Sequence, residues 1–224
     1  MKLVTVIITA GGIGTRMGAN VPKQFLELAG KPVLFHTLEQ FHGFDKQAEL
    51  ILTLPGEWLT FWEQLIQKYT FTIPHKVVEG GEHRFDSVRN ALLVAKGEYV
   101  AVHDGVRPFV NFDTLERCWK NVQQGKAVVP VLAVKDSIRE VNNEHSHAVD
   151  RSLYRLVQTP QCFEYSLLLK AYQTAFDGVS TDDASLVEKL GVNIHLVEGN
   201  EENFKITTPL DMILAEELAR NSAK

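Results

Sequence analysis

Six short runs rich in Val, Ile and Leu recur along this chain, separated by longer amphipathic stretches, and that alternation limits the fold more than any other feature. The runs are Val4–Thr9, Leu50–Leu54, Lys76–Val78, Tyr99–His103, Ala127–Leu132 and Asn193–Val197. A β-branched run without polar alternation suits a strand buried on both faces, and such strands belong to parallel sheets whose crossovers are helices. Helices are predicted over Pro32–Phe41, Glu57–Tyr69, Arg84–Ala95, Phe112–Gln124, Ser166–Ala175, Asp182–Lys189 and Pro209–Ala219, the last capped by Thr208. The expected class is α/β, a mostly parallel twisted sheet flanked by helices. Lys135–Leu156 breaks the rhythm: it is polar, carries Asn142-Asn143 and has β-prone flanks, so it reads as a protruding β-hairpin arm.

At 224 residues the chain has room for a single domain with one excursion, spanning 1–224 with the arm at about 135–156. Hydrophobic residues make up 45% and charged residues 23%, enough for a sizeable core. The net charge of −5 gives no global attraction to nucleic acid or an anionic membrane, so an anionic ligand must be held locally. Cys118 and Cys162 lack C-x-x-C spacing, which fits a reducing, cytoplasmic setting. The first apolar run stops at Gly11-Gly12, too short for a membrane span, and no signal-peptide cleavage region follows; the chain is expected to begin directly with its fold.

That first run leads into Ala10-Gly11-Gly12-Ile13-Gly14-Thr15-Arg16-Met17-Gly18. Glycines let backbone N–H groups approach an oxyanion closely, so a glycine-rich turn after a strand is a natural phosphate cradle. It is not a P-loop, which needs G-K-[ST], nor a dinucleotide fingerprint, whose third glycine would fall on Met17. Arg16 and Lys23 follow, neither on an apolar helical stripe, with Pro22 fixing the backbone beside Lys23. Cations beside such a turn can neutralise a polyphosphate, which otherwise repels a second anion.

Three further clusters fall at predicted strand ends, where open α/β sheets bind ligands. Gly80-Gly81-Glu82 to Ser87 forms a turn able to read a base edge. His103-Asp104-Gly105-Val106-Arg107 ends a buried strand in an acid, a candidate for Mg²⁺ or for an ion pair. Lys205 lies in an extended stretch before the last helix. His145 and His147 lack a third ligand and are read as solvated. Trp58, Phe61, Trp62 and Leu65 recur at helical spacing and are read as core.

Taken in order, A-G-G-x-G-T-R-M, P-K-Q-F, G-G-x-x-R-x-x-S-V, V-H-D-x-x-R-P, T-P-Q-x-F, T-D-D-A and N-x-K-I-T-x-P-x-D run from Ala10 to Asp211. This series resembles the 2-C-methyl-D-erythritol 4-phosphate cytidylyltransferases of the non-mevalonate isoprenoid pathway. The resemblance implies a Rossmann-like nucleotidyltransferase fold, a homodimer formed through the arm, and reaction of CTP with a sugar-alcohol phosphate to give a CDP-linked product and pyrophosphate. It implies a phosphate clamp of Arg16, Lys23 and Lys205, with Ala10, Gly11, Gly12 and Gly14 lining the nucleotide loop and Gly81, Glu82 and Ser87 contacting cytidine. Asp104 would stand near metal and acceptor, while Arg107, Ser137, Arg151, Thr159 and Thr181 would hold the acceptor, some from the neighbouring subunit's arm. The first loop, Thr9-Ala10-Gly11-Gly12, is also similar to ribitol-5-phosphate cytidylyltransferases, an alternative acceptor class; Thr181-Asp182-Asp183-Ala184 leans toward the methylerythritol enzymes. A non-catalytic nucleotide-binding subunit would not require the cations.

The chemistry agrees with the residue types. A phosphate monoester is mostly a dianion at neutral pH and needs no general base, and no Ser/His/Asp relay is found.

Overall fold

A computed structural model describes residues 3–12, 21–142, 144–174 and 178–222. The strands are β1 (Val4–Thr9), β2 (Glu27–Leu28), β3 (Lys31–Pro32), β4 (Glu49–Leu54), β5 (Lys76–Glu79), β6 (Tyr99–Asp104), β7 (Ala127–Ala133), β8 (Ile138–Asn142), β9 (His145–Val149), β10 (Arg155–Val157), β11 (Gln161–Glu164) and β12 (Ile194–Glu198). The helices are α1 (Val33–Phe44), α2 (Leu59–Tyr69), α3 (Arg84–Leu92), α4 (Phe112–Val122), α5 (Tyr165–Tyr172), α6 (Asp183–Glu188) and α7 (Pro209–Ser222). All six predicted strands are present, with ends shifted by at most one residue.

The main sheet runs β10-β7-β11-β6-β1-β4-β5, with β12 also paired to β7. β1, β4, β5 and β6 pair in parallel, as do β7 and β12. β11 is inserted antiparallel between β6 and β7. Sequence reading missed it because four residues after a proline carry no periodicity. The arm is a separate hairpin of β8 and β9; Arg155–Val157, placed largely within it from sequence, instead pairs antiparallel with β7 in the main sheet. Asn143, half of the predicted turn, lies outside the described residues.

Alternation along the strands sends side chains to both faces. Val4, Val6 and Ile8 join Leu34, Phe35, Leu38, Trp62 and Trp119 in one core, and Ile7, Val100 and Val102 join Phe85, Val88 and Leu168 in the other. Trp62 and Leu65 are buried, with Trp58 and Phe61 packed against that first core, as their spacing predicts. Helix starts are capped locally: Asn111 accepts from Thr114 N–H at 2.8 Å and Asp182 from Ser185 N–H at 3.0 Å. Thr208 caps α7, its hydroxyl accepting from Asp211 N–H at 3.3 Å while Asp211 Oδ2 accepts from Thr208 N–H at 2.7 Å, a reciprocal box. This framework brings the ends of β1, β5 and β6 to one edge of the sheet.

Candidate active site

At that edge lies a cleft of about 430 Å³. β1 delivers Thr9 to Gly12, whose start is fixed by Ala10 N–H donating to Thr53 O at 3.1 Å and by buried Gln24 donating to Ala10 O at 2.6 Å. Lys23 opens a short 3-10 turn after Pro22 and is buried against this loop; a Cβ on Gly12 would stand 4.0 Å from Lys23 Cε.

The second wall is the turn after β5. Gly81 N–H donates to Ser87 Oγ at 3.1 Å, and Ser87 donates to His83 O at 3.2 Å, so this hydroxyl closes the turn. The glycines are required by close approach: a Cβ on Gly80 would come 2.8 Å from Ser87 Oγ, and one on Gly81 2.2 Å from Asp86 Cβ. Glu82 is exposed and lines the cleft.

The floor is Asp104, at the end of β6. Its Oδ2 lies 3.0 Å from Arg107 Nε and 3.2 Å from Lys205 Nζ, and its Oδ1 3.9 Å from Arg84 Nε. Burial works to raise the Asp104 pKa, but Lys205, Arg84 and Arg107 outweigh it and hold the carboxyl well below the usual range. Lys23, Arg84, Arg107 and Lys205 face Glu82, Asp104 and Asp183, four cations against three carboxylates, and this small excess of positive charge suits an anionic ligand.

The cleft therefore unites Ala10, Gly11, Gly12, Lys23, Gly81, Glu82, Ser87, Asp104 and Lys205. Gly14 and Arg16 lie outside the described residues. Arg107 does not line the cleft; it stands beside Asp104, with Nη1 donating to Asn203 O at 2.7 Å. Thr159 is buried next to Asp104, while Thr181 is exposed just ahead of α6. Ser137 and Arg151 are exposed on the arm's base, where Arg151 donates to Lys135 O. His147 pairs with Glu140 at 3.2 Å, and no cluster of three or more His, Cys, Asp or Glu able to hold a metal exists among the described residues. A larger depression, about 650 Å³, is lined by His36, Gln40, Asn111 and Glu202 and contains none of the predicted residues.

Sequence reading passed over Gln24, Arg84 and Asp183 as site residues. Gln24 stands in P-K-Q-F, Arg84 in G-G-x-x-R-x-x-S-V and Asp183 in T-D-D-A, where a polar side chain beside the glycines and cations is the only local signal.

Residues 4–221 match the family profile described as IspD, 2-C-methyl-D-erythritol 4-phosphate cytidylyltransferase. The chain belongs to this family. A Bacteroides thetaiotaomicron 2-C-methyl-D-erythritol 4-phosphate cytidylyltransferase is 52% identical over 209 residues, covering 93% of this chain and 95% of that protein. One from Bacteroides fragilis is 49% identical, covering 96% and 98%. The crystal structure of the Thermus thermophilus 2-C-methyl-D-erythritol 4-phosphate cytidylyltransferase is 37% identical with a TM-score of 0.80, covering 98% of this chain and all of that one. Membership fits a nucleotidyltransferase fold, and no described helix of this family member is long and apolar enough to cross a membrane.

Proposed function

We propose that this protein transfers the cytidylyl group of CTP to 2-C-methyl-D-erythritol 4-phosphate, giving 4-diphosphocytidyl-2-C-methyl-D-erythritol and pyrophosphate in isoprenoid precursor synthesis. The carrying observation is that Lys23, Lys205 and Asp104 share one cleft with the glycine turn of β1. The cytidine base fits against the Gly81–Ser87 turn, and the triphosphate along Gly11, Gly12 and Lys23. An acceptor phosphate oxygen, already anionic, attacks the α-phosphorus in line; the new P–O bond forms as the bond to the bridging oxygen breaks and pyrophosphate leaves. Lys23 and Lys205, with Arg16, neutralise charge on the α-phosphate and leaving group.

Mg²⁺ fits as an ion carried by the triphosphate rather than in a protein cage: of the two carboxylates nearest Arg84, Asp104 lines the cleft while Asp183 is wholly buried. Asp104 would hold it, and its contribution when bound is neutralisation of phosphate charge.

The arm supplies the means of pairing two copies. Leu153, Leu156, Val157 and Leu196 are exposed near its base, a surface suited to a second copy, whose Ser137 and Arg151 would reach the acceptor. Cytoplasmic placement accords with the two free, buried cysteines.

The test is pyrophosphate release from CTP with either acceptor. Release with the methylerythritol phosphate is expected; preference for ribitol 5-phosphate, toward which none of the named relatives points, or no release with either, overturns the reading.

A further inference from the structure

Arg84 is the first residue of α3, where the positive end of the helix dipole disfavours a cation. Two carboxylates from distant elements offset this. Asp183, wholly buried at the start of α6, accepts from Arg84 Nη1 at 2.9 Å and from Nη2 at 2.7 Å. Tyr172 of α5 donates to the same Asp183 Oδ1 at 2.5 Å. Asp104 Oδ1, at 3.9 Å from Nε, attracts the guanidinium but is too far to accept a hydrogen bond.

A guanidinium carries five N–H donors in a rigid fork. Asp183 takes two. The other three have no acceptor among the described residues, on a side chain 31% exposed that lines the cleft. A cation held in one orientation by a buried carboxylate, on a side chain that lines the cleft and keeps N–H donors uncommitted, is suited to act as a preorganised oxyanion contact.

We propose that Arg84 donates to a phosphate oxygen of bound substrate and that Asp183 is a positioning residue acting through it. This deepens the reaction proposed above and rests on it. The phosphate is that of the nucleotide or that of the acceptor.

The experiment compares Arg84→Gln, Asp183→Asn, the double variant and Arg84→Lys in the full chain. Melting temperature, calorimetric binding of CTP and of the acceptor, and steady-state pyrophosphate release are measured. Arg84→Gln should lower kcat/KM about 10²-fold, the scale for a lost oxyanion donor, and Asp183→Asn should follow it. Arg84→Gln leaves the wholly buried Asp183 charge alone and lowers the melting temperature; the double variant removes both charges and should melt nearer the parent than Arg84→Gln while keeping the kinetic loss. Arg84→Lys, with charge but no fork, should lose at least ~10-fold. Weakened CTP binding assigns the contact to the triphosphate, and weakened acceptor binding with CTP unchanged assigns it to the acceptor. Recovery of activity together with stability in the double variant, or wild-type kinetics and binding in a folded Arg84→Lys, overturns the inference. Should the parent protein not release pyrophosphate, the reaction proposal fails by itself, and the binding measurements still decide the role of Arg84.

Discussion

The hydroxyl of Thr159 lies 3.0 Å from Nδ1 of His103. His103 Nε2 faces Arg107 O at 2.9 Å, and a carbonyl only accepts, so the proton sits on Nε2 and Nδ1 receives the Thr159 hydroxyl. Thr159 Oγ1 in turn accepts from Asp104 N–H at 3.1 Å. The turn from His103 to Arg107 is thus locked from both sides by a neutral imidazole.

Removing that hydroxyl should unlock the turn. Thr159→Val leaves two buried polar groups unpaired, at about 1–3 kcal/mol of stability for each, and lowers pyrophosphate release by loosening Asp104. Thr159→Ser keeps donor and acceptor and should retain both properties. Equal kinetics for Val and Ser would contradict the lock.

Burial pushes the His103 pKa down to about 4, against the hydrogen bond to Arg107 O that favours its charged form. Between pH 6.5 and 4 the unfolded chain takes up a proton that the folded one refuses, so this contribution is complete above pH 6.5 and falls with acidification. At 1.36 kcal/mol per unit the loss is about 3 kcal/mol. His36 and His75, also lowered by burial, act in the same direction. Chemical denaturation across this window should show stability declining; a flat profile from pH 7 to 4 would refute the assignment.

Lys23→Ala tests the clamp. Lys23 is buried at the cleft, so losing it should cost on the order of 10²–10³ in kcat with the circular dichroism spectrum unchanged. Normal turnover in the folded variant would remove Lys23 from the mechanism.

Gly81→Ala tests the nucleotide turn. Its methyl would come 2.2 Å from Asp86 Cβ, and the backbone must shift to relieve this. Displacement near 1 Å at a binding wall costs about 10²-fold, expected here in kcat/KM with CTP as the varied substrate. An unchanged value would show that the turn does not contact the nucleotide.

Sequence periodicity disclosed the parallel strands because burial on both faces leaves an uninterrupted apolar signature, as in Val4–Thr9. It could not disclose β11, whose identity rests on pairing with residues far away in the chain, such as Cys162 with Ala101. In the site, glycines and cations beside strand ends were legible because their chemistry is local. The pairing of Arg84 with Asp183 was not, since a salt bridge across 99 positions leaves no spacing to read. Ser87 shows the reverse limit: its place was found, but the structure engages its hydroxyl in closing the turn.

The reversed direction of β11 gives the rim something parallel strands cannot supply. Its incoming end, rather than its outgoing one, meets Asp104, so Thr159 reaches the floor of the cleft only a few residues after β10, the main-sheet strand that follows the arm. Between the projecting hairpin and that hydroxyl stands β10, paired to β7 over Arg155–Val157 and followed by Gln158 N–H donating to Pro130 O at 2.8 Å, so the support of the acid is moored in the sheet and stays independent of how the periphery is gripped.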